Sequence, residues 1–252
     1  MNLIEKELML SKEKMIEEVP FQGKTLAKLT QNNVAIVEAM ICNDSAYIHS
    51  SDKNACPRYN TKKEIVYGGS TAYWMNKLKM YLFENNNEIP YEKIIKGAVE
   101  AVDRDNSTHL NADRCGREEI TNRIIQFGYL ELIECLKNPD YDNMKLFREI
   151  SKMTSASSRA RENKSFASKF CHYACFYLFE GTENQDNYSI YDGILRETLP
   201  LYISFFNIET KYDLEDYAQY RSAVDAIRLK TEEPISRNGF DHLLWYYHKG
   251  RL

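Results

Sequence analysis

The sequence predicts an all-α protein, organised as one compact multi-helix domain over residues 1–252. Apolar residues recur at spacings of three and four in about ten segments, which is the pattern of helices that bury one face. No segment shows the alternation of apolar and polar residues expected of a half-buried strand, and no glycine-rich phosphate loop is found. A chain of 252 residues is long enough to bury a substantial core.

The first half of the chain is expected to form five helices. Their apolar spacing places them over residues 2–18, 24–42, 70–83, 90–102 and 118–136. Ser70 is a suitable N-cap for the third, and Pro90 opens the fourth, where its missing N–H costs nothing. An alternative stays open for the second helix, because the polar residues 31–33 are also typical of a turn before a short strand.

The second half is expected to form five more helices. They are placed over residues 144–150, 163–179, 192–206, 213–230 and 240–249. Asp192 or Ser189 is the expected N-cap of the helix that ends near Phe206. Pro200 should kink or divide that helix, because proline removes a backbone donor and its ring crowds the preceding turn.

Composition limits the cellular setting and the partners. Hydrophobic residues make up 43% of the chain and charged residues 28%, the balance of a soluble globular protein. No apolar run approaches the ~18 residues of a membrane span, so no membrane partner is expected. Acidic residues follow Met1 where a signal peptide would be basic, and a cytoplasmic location is therefore expected.

The six cysteines are scattered and are expected to be free thiols. Cys171 and Cys175 share a helix face, and with His172 or His242 they offer an alternative zinc site. A closed zinc site needs four ligands, and the sequence shows no second paired set. The main prediction is therefore that the protein holds no metal and needs no cofactor.

Charge is distributed unevenly along the chain. The net charge of −4 is unlike that of a strong DNA-binding protein. Residues 152–175, in contrast, carry five basic side chains against the single acid Glu162. This segment is the most favourable place for a phosphate backbone, although a solvated helix end explains the same charges.

Two ionisable residues are placed to face each other. Lys169 lies near the start of an apolar helix that follows a short polar turn, and Asp192 heads the next helix. Each has an ordinary explanation, since a lysine near a helix start usually extends to water and an aspartate there usually caps the helix. If both side chains face one cleft, a neutral amine and a carboxylate are available for covalent chemistry.

This pattern resembles the catalytic core of helix-hairpin-helix DNA glycosylases, in particular the 8-oxoguanine branch. The resemblance rests on residues 163–179, which resemble the helix of the nucleophilic lysine, and on the Ser-Ile-Tyr-Asp sequence ending at Asp192. It implies a two-lobed helical domain with a cleft between the lobes, here residues 1–110 and 111–252. It also implies that double-stranded DNA containing a damaged base is the partner.

The resemblance implies roles for both residues. Lys169 would attack the sugar carbon left by an excised oxidised purine, and the resulting Schiff base would permit strand cleavage by β-elimination. Asp192 would stabilise positive charge on the sugar and help to move protons.

The resemblance extends to the binding surfaces. Asp241 and Trp245, four residues apart on the last helix, would line the pocket of the extruded base. Arg161, Lys164 and Ser165 would contact DNA phosphate, although the family's glycine-rich hairpin is replaced here by residues without glycine.

The chain departs from the family in two further respects. The Lys169-to-Asp192 interval is longer than the family's, with residues 181–187 as the insertion, and Ile190 and Tyr191 replace its Pro-Val. A second hypothesis is therefore a non-catalytic helical module, derived from the same fold, that binds nucleic acid or a protein.

Overall fold

The structure is mostly helical. The computed structural model describes residues 16–43, 58–59, 65–67, 69–106, 108–110, 116–141, 144–153 and 161–250. Most of the helix expected over residues 2–18 lies outside these ranges. In the described part the α-helices are α1 (Gln31–Asn43), α2 (Thr71–Phe83), α3 (Tyr91–Asn106), α4 (Gly116–Phe127), α5 (Tyr129–Lys137), α6 (Lys145–Ser151), α7 (Lys164–Leu178), α8 (Gly193–Phe205), α9 (Tyr217–Arg228) and α10 (Arg237–His248).

The described part of the chain contains short antiparallel hairpins, so the prediction of a chain without strands is wrong. The described strands are β1 (Glu18–Phe21) paired with β2 (Lys24–Ala27), β3 (Arg58–Tyr59) paired with β4 (Ile65–Tyr67), and β5 (Lys152–Met153) paired with β6 (Arg161–Glu162). In the first hairpin, Gln22 and Gly23 have positive φ angles of 49° and 74°, as a tight two-residue turn requires. The helix predicted over residues 24–42 therefore begins only at Gln31, because residues 24–27 form β2.

Several helix boundaries follow the sequence expectations and others do not. Ser70 caps α2 by accepting a hydrogen bond from the Tyr73 N–H, as predicted. The helix predicted over residues 118–136 is two helices, because Gly128 adopts a positive φ of 79° between them. Pro200 lies inside α8 without dividing it.

Helix α7 lies at the centre of the packing that positions the site. It packs against α2, α3, α5 and α6, whereas α10 packs against α1, α8 and α9. The buried face of α7 includes Phe166, Phe170, Ala174 and Leu178, the spacing that the sequence predicted. Polar side chains early in α7 are therefore held by a rigid element. The division into two lobes remains a prediction.

Gly97 allows α3 to pack closely on α2. A Cβ atom at this position would overlap the indole ring of Trp74, which is fully buried. We expect Gly97→Ala to lower the free energy of unfolding by about 3 kcal/mol, because the indole has no space into which to retreat. Urea denaturation measures this change.

Gly193→Ala is the matched control for that substitution. Its added methyl group meets no atom within 4 Å, so unfolding should shift by no more than about 0.5 kcal/mol. Equal stability of the Gly97→Ala variant and the parent would contradict the packing described here.

Candidate functional site

The start of α7 is fixed to the end of α3. Asn163 caps α7, because its side-chain oxygen accepts a hydrogen bond from the Phe166 N–H at 2.8 Å. Its amide nitrogen donates to the Thr108 carbonyl at 3.2 Å. One side chain therefore both begins the helix and places the segment after α3 beside its first turns.

Lys169 lies on the second turn of α7 and faces Asp192. Its Nζ is 3.9 Å from Asp192 Oδ2, and only 11% of the lysine side chain is exposed. Nζ also donates to the Asn106 carbonyl, at 3.4 Å. The structure thus brings together the two residues that the sequence paired, and both contacts to the amine are long.

The surroundings of Lys169 make its amine easier to deprotonate than that of an exposed lysine. Burial lowers the pKa of the Lys169 amine, the nearby Asp192 carboxylate raises it, and Lys249 lowers it. The effect of burial is the largest, so the net change in pKa is downward. A larger fraction of the amine is therefore available as a nucleophile near neutral pH than for an exposed lysine.

Asp192 combines the two roles that the sequence left open. Its Oδ1 caps α8 by accepting a hydrogen bond from the Ile194 N–H at 2.8 Å. The other oxygen, Oδ2, faces Lys169. The cap fixes the carboxylate's orientation and leaves one oxygen directed at the amine.

Tyr173 and Asn106 complete the surroundings of the amine; the sequence indicates Tyr173 as an apolar neighbour of Lys169 on the same helix, but it does not indicate Asn106. Tyr173 lies one turn after Lys169, and its hydroxyl donates to Asn106 Oδ1 at 2.9 Å. The Asn106 side chain also donates to the Val102 carbonyl at 3.0 Å. The proximity of Tyr173 and Lys169 follows from their spacing of four along the helix. Asn106 could not be identified from the sequence, because α3 was expected to end near Val102.

Residues 181–187, the longer part of the Lys169-to-Asp192 interval, are folded onto α10. They include a 3-10 turn, Glu183–Asp186. The Asp186 carboxylate accepts hydrogen bonds from the backbone N–H groups of Arg237 (2.6 Å) and Asn238 (3.1 Å). The insertion therefore packs against the start of α10, and Asp192 lies beside α7.

Asp241 is directed toward the residues before Asp192. It is 2% exposed, and its Oδ2 accepts a hydrogen bond from the Ile190 N–H at 2.8 Å. Its Oδ1 has no hydrogen-bond partner among the described residues. Burial raises the pKa of the Asp241 carboxyl well above its ordinary value. The base-pocket role expected for Asp241 remains a prediction, whereas its observed contact holds the backbone of Ile190.

The ammonium group of Lys249 lies over the ring of Trp245. Lys249 Nζ lies 4.3 Å from the centroid of the Trp245 ring, a cation–π contact at the end of α10. Because Lys249 also lowers the pKa of Lys169, the indole lies in the same part of the molecule as the Lys169–Asp192 pair. Stacking of Trp245 on a base remains a prediction.

Among the residues expected to bind phosphate, the Lys164 side chain has protein partners of its own. Lys164 Nζ donates to the Glu215 carbonyl at 2.7 Å and lies 3.4 Å from the Glu162 carboxylate. The Ser165 carbonyl accepts a hydrogen bond from Ser168 Oγ. The Arg161 side chain lies outside the described part. Phosphate binding by Arg161, Lys164 and Ser165 stays a prediction, and for Lys164 it requires exchange of a protein contact.

The cysteines considered for zinc belong to the core. Cys171 and Cys175 are fully buried, and burial raises the pKa of both thiols. Both ring nitrogens of His172 are already within hydrogen-bond distance of protein oxygens, at Tyr188 and Asn238. Within the described ranges, no three metal-binding side chains come together as a site.

Substitution of Lys249 should shift the titration of Lys169. We expect Lys249→Met to raise the pKa of the Lys169 amine, because the substitution removes a nearby positive charge. Lys249→Arg retains the charge and should leave that pKa close to its parental value. NMR titration of ε-carbon-labelled lysine measures both, and an equal pKa in the Met variant and the parent would contradict the arrangement.

Comparisons with known proteins add no further assignment. No family model, curated protein or solved structure matches the chain. Among the described helices, none is both long and apolar enough to cross a membrane.

Proposed function

We propose that this protein is a DNA glycosylase with β-elimination lyase activity, acting on an oxidised purine such as 8-oxoguanine in duplex DNA. The observation that supports the proposal is the buried Lys169 amine, 3.9 Å from a carboxylate oxygen of Asp192 and with a lowered pKa. A buried amine is costly to the fold, and a nucleophile for sugar chemistry is a use that repays this cost. The resemblance of the Lys169 helix and the Asp192 turn to the 8-oxoguanine glycosylases supplies the substrate class.

The proposed reaction begins with loss of the base. The base leaves with the electrons of its bond to C1′, and the Asp192 carboxylate stabilises the positive charge that develops on the sugar. The lone pair of neutral Lys169 forms a bond to C1′, and the proton released from nitrogen passes to Asp192. The nitrogen lone pair then forms a C1′=N bond as the C1′–O4′ bond breaks, and O4′ takes the proton back from Asp192, which opens the sugar ring to a protonated imine.

Strand cleavage follows from the imine. Asp192 removes a proton from C2′, the electron pair of that C–H bond forms a C2′=C3′ double bond, and the C3′–O bond breaks so that the phosphate leaves with its electron pair. Water then hydrolyses the imine and returns the free Lys169 amine. Asp192 is the nearest carboxylate among the described contacts of Lys169 to carry these protons.

An extruded base also needs a surface on which to stack. The proposal assigns that role to Trp245, because flipped bases are held between aromatic and apolar side chains. Lys249 already lies over one face of the indole. Stacking on that face therefore requires Lys249 to move aside, which would also bring its ammonium group toward the DNA.

A second candidate function is a helical module that binds nucleic acid or a protein without catalysis. The observation that favours it is that the Lys164 ammonium group contacts Glu215 and Glu162. Lys164 must give up these contacts before it can bind the DNA phosphate that a glycosylase holds. In that case Lys169 and Asp192 would be an ordinary buried ion pair.

Borohydride trapping separates the two functions. The protein is incubated with an 8-oxoguanine duplex, an undamaged duplex of the same sequence and a duplex containing an abasic site, each with borohydride. The glycosylase proposal predicts a covalent adduct with the oxoguanine and abasic duplexes and none with undamaged DNA. Duplex binding without any adduct would favour the non-catalytic module.

A further inference from the structure

The residues that lead into Asp192 are held by side chains from three helices. Residues 189–191 belong to neither a helix nor a strand, so their backbone groups need other partners. Asp241 Oδ2 accepts from the Ile190 N–H (2.8 Å), and Ser168 Oγ accepts from the Tyr191 N–H (2.9 Å). We call residues 189–191 the Asp192 support.

Two tyrosines of α9 hold the carbonyl groups of the same segment. The Tyr217 hydroxyl donates to the Ser189 carbonyl at 2.6 Å, and the Tyr220 hydroxyl donates to the Ile190 carbonyl at 2.8 Å. The four side chains that bind the backbone of the Asp192 support are each at most 4% exposed. Water therefore competes little for these hydrogen bonds, and the segment is fixed from several directions.

Ser168 links the two halves of the site directly. It precedes Lys169 in the chain, and its partner Tyr191 precedes Asp192, so one hydrogen bond joins the neighbours of the amine and the carboxylate. The Ser168 hydroxyl donates to the Ser165 carbonyl at 3.0 Å, which leaves its lone pairs for the Tyr191 N–H. A shift of this bond would change the separation of Lys169 and Asp192.

A buried aspartate is unexpected at position 241 unless its hydrogen bond with the Ile190 N–H is needed. A buried carboxyl group is costly, and this one makes a single hydrogen bond among the described residues. That bond fixes the Ile190 N–H, two residues before Asp192. An acceptor is all that the bond requires, so an amide at this position can replace the acid.

We propose that Ser168 and Asp241 are positioning residues, which set the separation of Lys169 and Asp192 through the backbone of Tyr191 and Ile190. Neither side chain needs to touch DNA. The reaction part of this inference rests on the proposed glycosylase function, whereas the geometric part concerns the Lys169–Asp192 pair itself.

The first test measures single-turnover cleavage of an 8-oxoguanine duplex together with its Kd. Ser168→Ala and Asp241→Leu should slow the single-turnover rate by about 10- to 100-fold, since misplacement of reacting groups by about 1 Å has effects of this size. The duplex Kd should stay within about two-fold of the parent's. Asp241→Asn keeps an acceptor for Ile190 and should restore most of the rate.

Thr198→Val is the matched control for Ser168→Ala. Thr198 Oγ1 donates to a carbonyl of its own helix, Leu195, and is also buried. This variant loses a buried hydroxyl without touching the Asp192 support, and its rate should equal the parent's. A folded Ser168→Ala protein with the parental rate would overturn the inference, as would an Asp241→Asn variant as slow as Asp241→Leu.

A second test does not depend on the reaction. In the parent, Asp192→Asn should lower the pKa of Lys169, because the carboxylate raises it. In the Ser168→Ala background this change should be clearly smaller, since the pair is no longer held together. If the parent forms no adduct, the glycosylase proposal fails, and this double-mutant cycle still decides the inference: an unchanged coupling overturns it.

Discussion

Lys169→Met should abolish the borohydride-trapped adduct completely while leaving the protein folded. The substitution removes the only nitrogen that the account assigns to the covalent bond and retains most of the side-chain volume. Trapping with an 8-oxoguanine duplex should show no adduct, where the parent shows a clear one. Retention of the adduct at the parental level would mean that another amine reacts.

The same variant should be as stable as the parent or more stable. Because burial lowers the pKa of Lys169, the unfolded chain binds this proton more tightly than the folded protein does. The charged lysine therefore costs stability at neutral pH, and the cost disappears only as the pH rises to the amine's ordinary pKa. Lys169→Met should raise the free energy of unfolding by about 1 kcal/mol, or Tm by about 2–4 °C. Loss of the adduct then cannot be attributed to misfolding.

Asp192→Asn should slow release of the base by about 10²- to 10⁴-fold, the range for loss of a positioned acid–base group. Asparagine is as good an N-cap as aspartate, so the hydrogen bond with Ile194 and the start of α8 should survive. Single-turnover release of 8-oxoguanine measures the effect. A rate within about three-fold of the parent's would remove Asp192 from the reaction.

The sign of the pKa change makes the Asp192→Asn result informative. The Asp192 carboxylate raises the pKa of Lys169, so the substitution makes the amine more often neutral. If Asp192 served only to tune the amine, the variant would attack the sugar at least as well as the parent. A large loss of rate therefore indicates that the carboxylate stabilises charge or moves protons during the reaction.

Asp216→Asn provides the control for that experiment. Asp216 caps α9 by accepting a hydrogen bond from the Gln219 N–H at 3.0 Å, so the same chemical change is made at another helix start. Its rate should equal the parent's. A comparable loss in both variants would point to a general effect of helix capping instead of chemistry at Asp192.

The sequence predicted the Lys169–Asp192 pair because both residues are tied to helix starts. Asn163 and Asp192 are typical N-caps, and apolar spacing oriented α7. Helix geometry then brought the early turns of α7 near the cap of α8. The distance between the two side chains depends on tertiary contacts that the sequence did not indicate, such as the hydrogen bond from the Tyr191 N–H to Ser168 Oγ.

Other contacts of the site have no recognisable pattern in the sequence. The Lys169 amine donates to the carbonyl of Asn106, and any residue at that position offers the same carbonyl. Ser168 and Tyr191 likewise meet through a backbone N–H. Contacts of this kind depend on tertiary packing and have no residue-type pattern along the chain.

Asp241 shows the limit of spacing arguments. Its separation of four from Trp245 correctly places both on one side of α10, but spacing does not state which neighbour the carboxyl meets. The structure directs it to Ile190. The first hairpin was missed for a related reason, since Gly23 breaks a helix and turns a hairpin equally well.

Peptide mapping of the trapped adduct tests the central claim most directly. A modified Lys169 resists trypsin, so cleavage after Lys164 and Arg196 should yield one peptide, residues 165–196, that carries the reduced sugar remnant and includes Asp192. The account predicts the remnant on Lys169 alone. A remnant on Lys249 or another amine, with an unmodified peptide ending at Lys169, would contradict it.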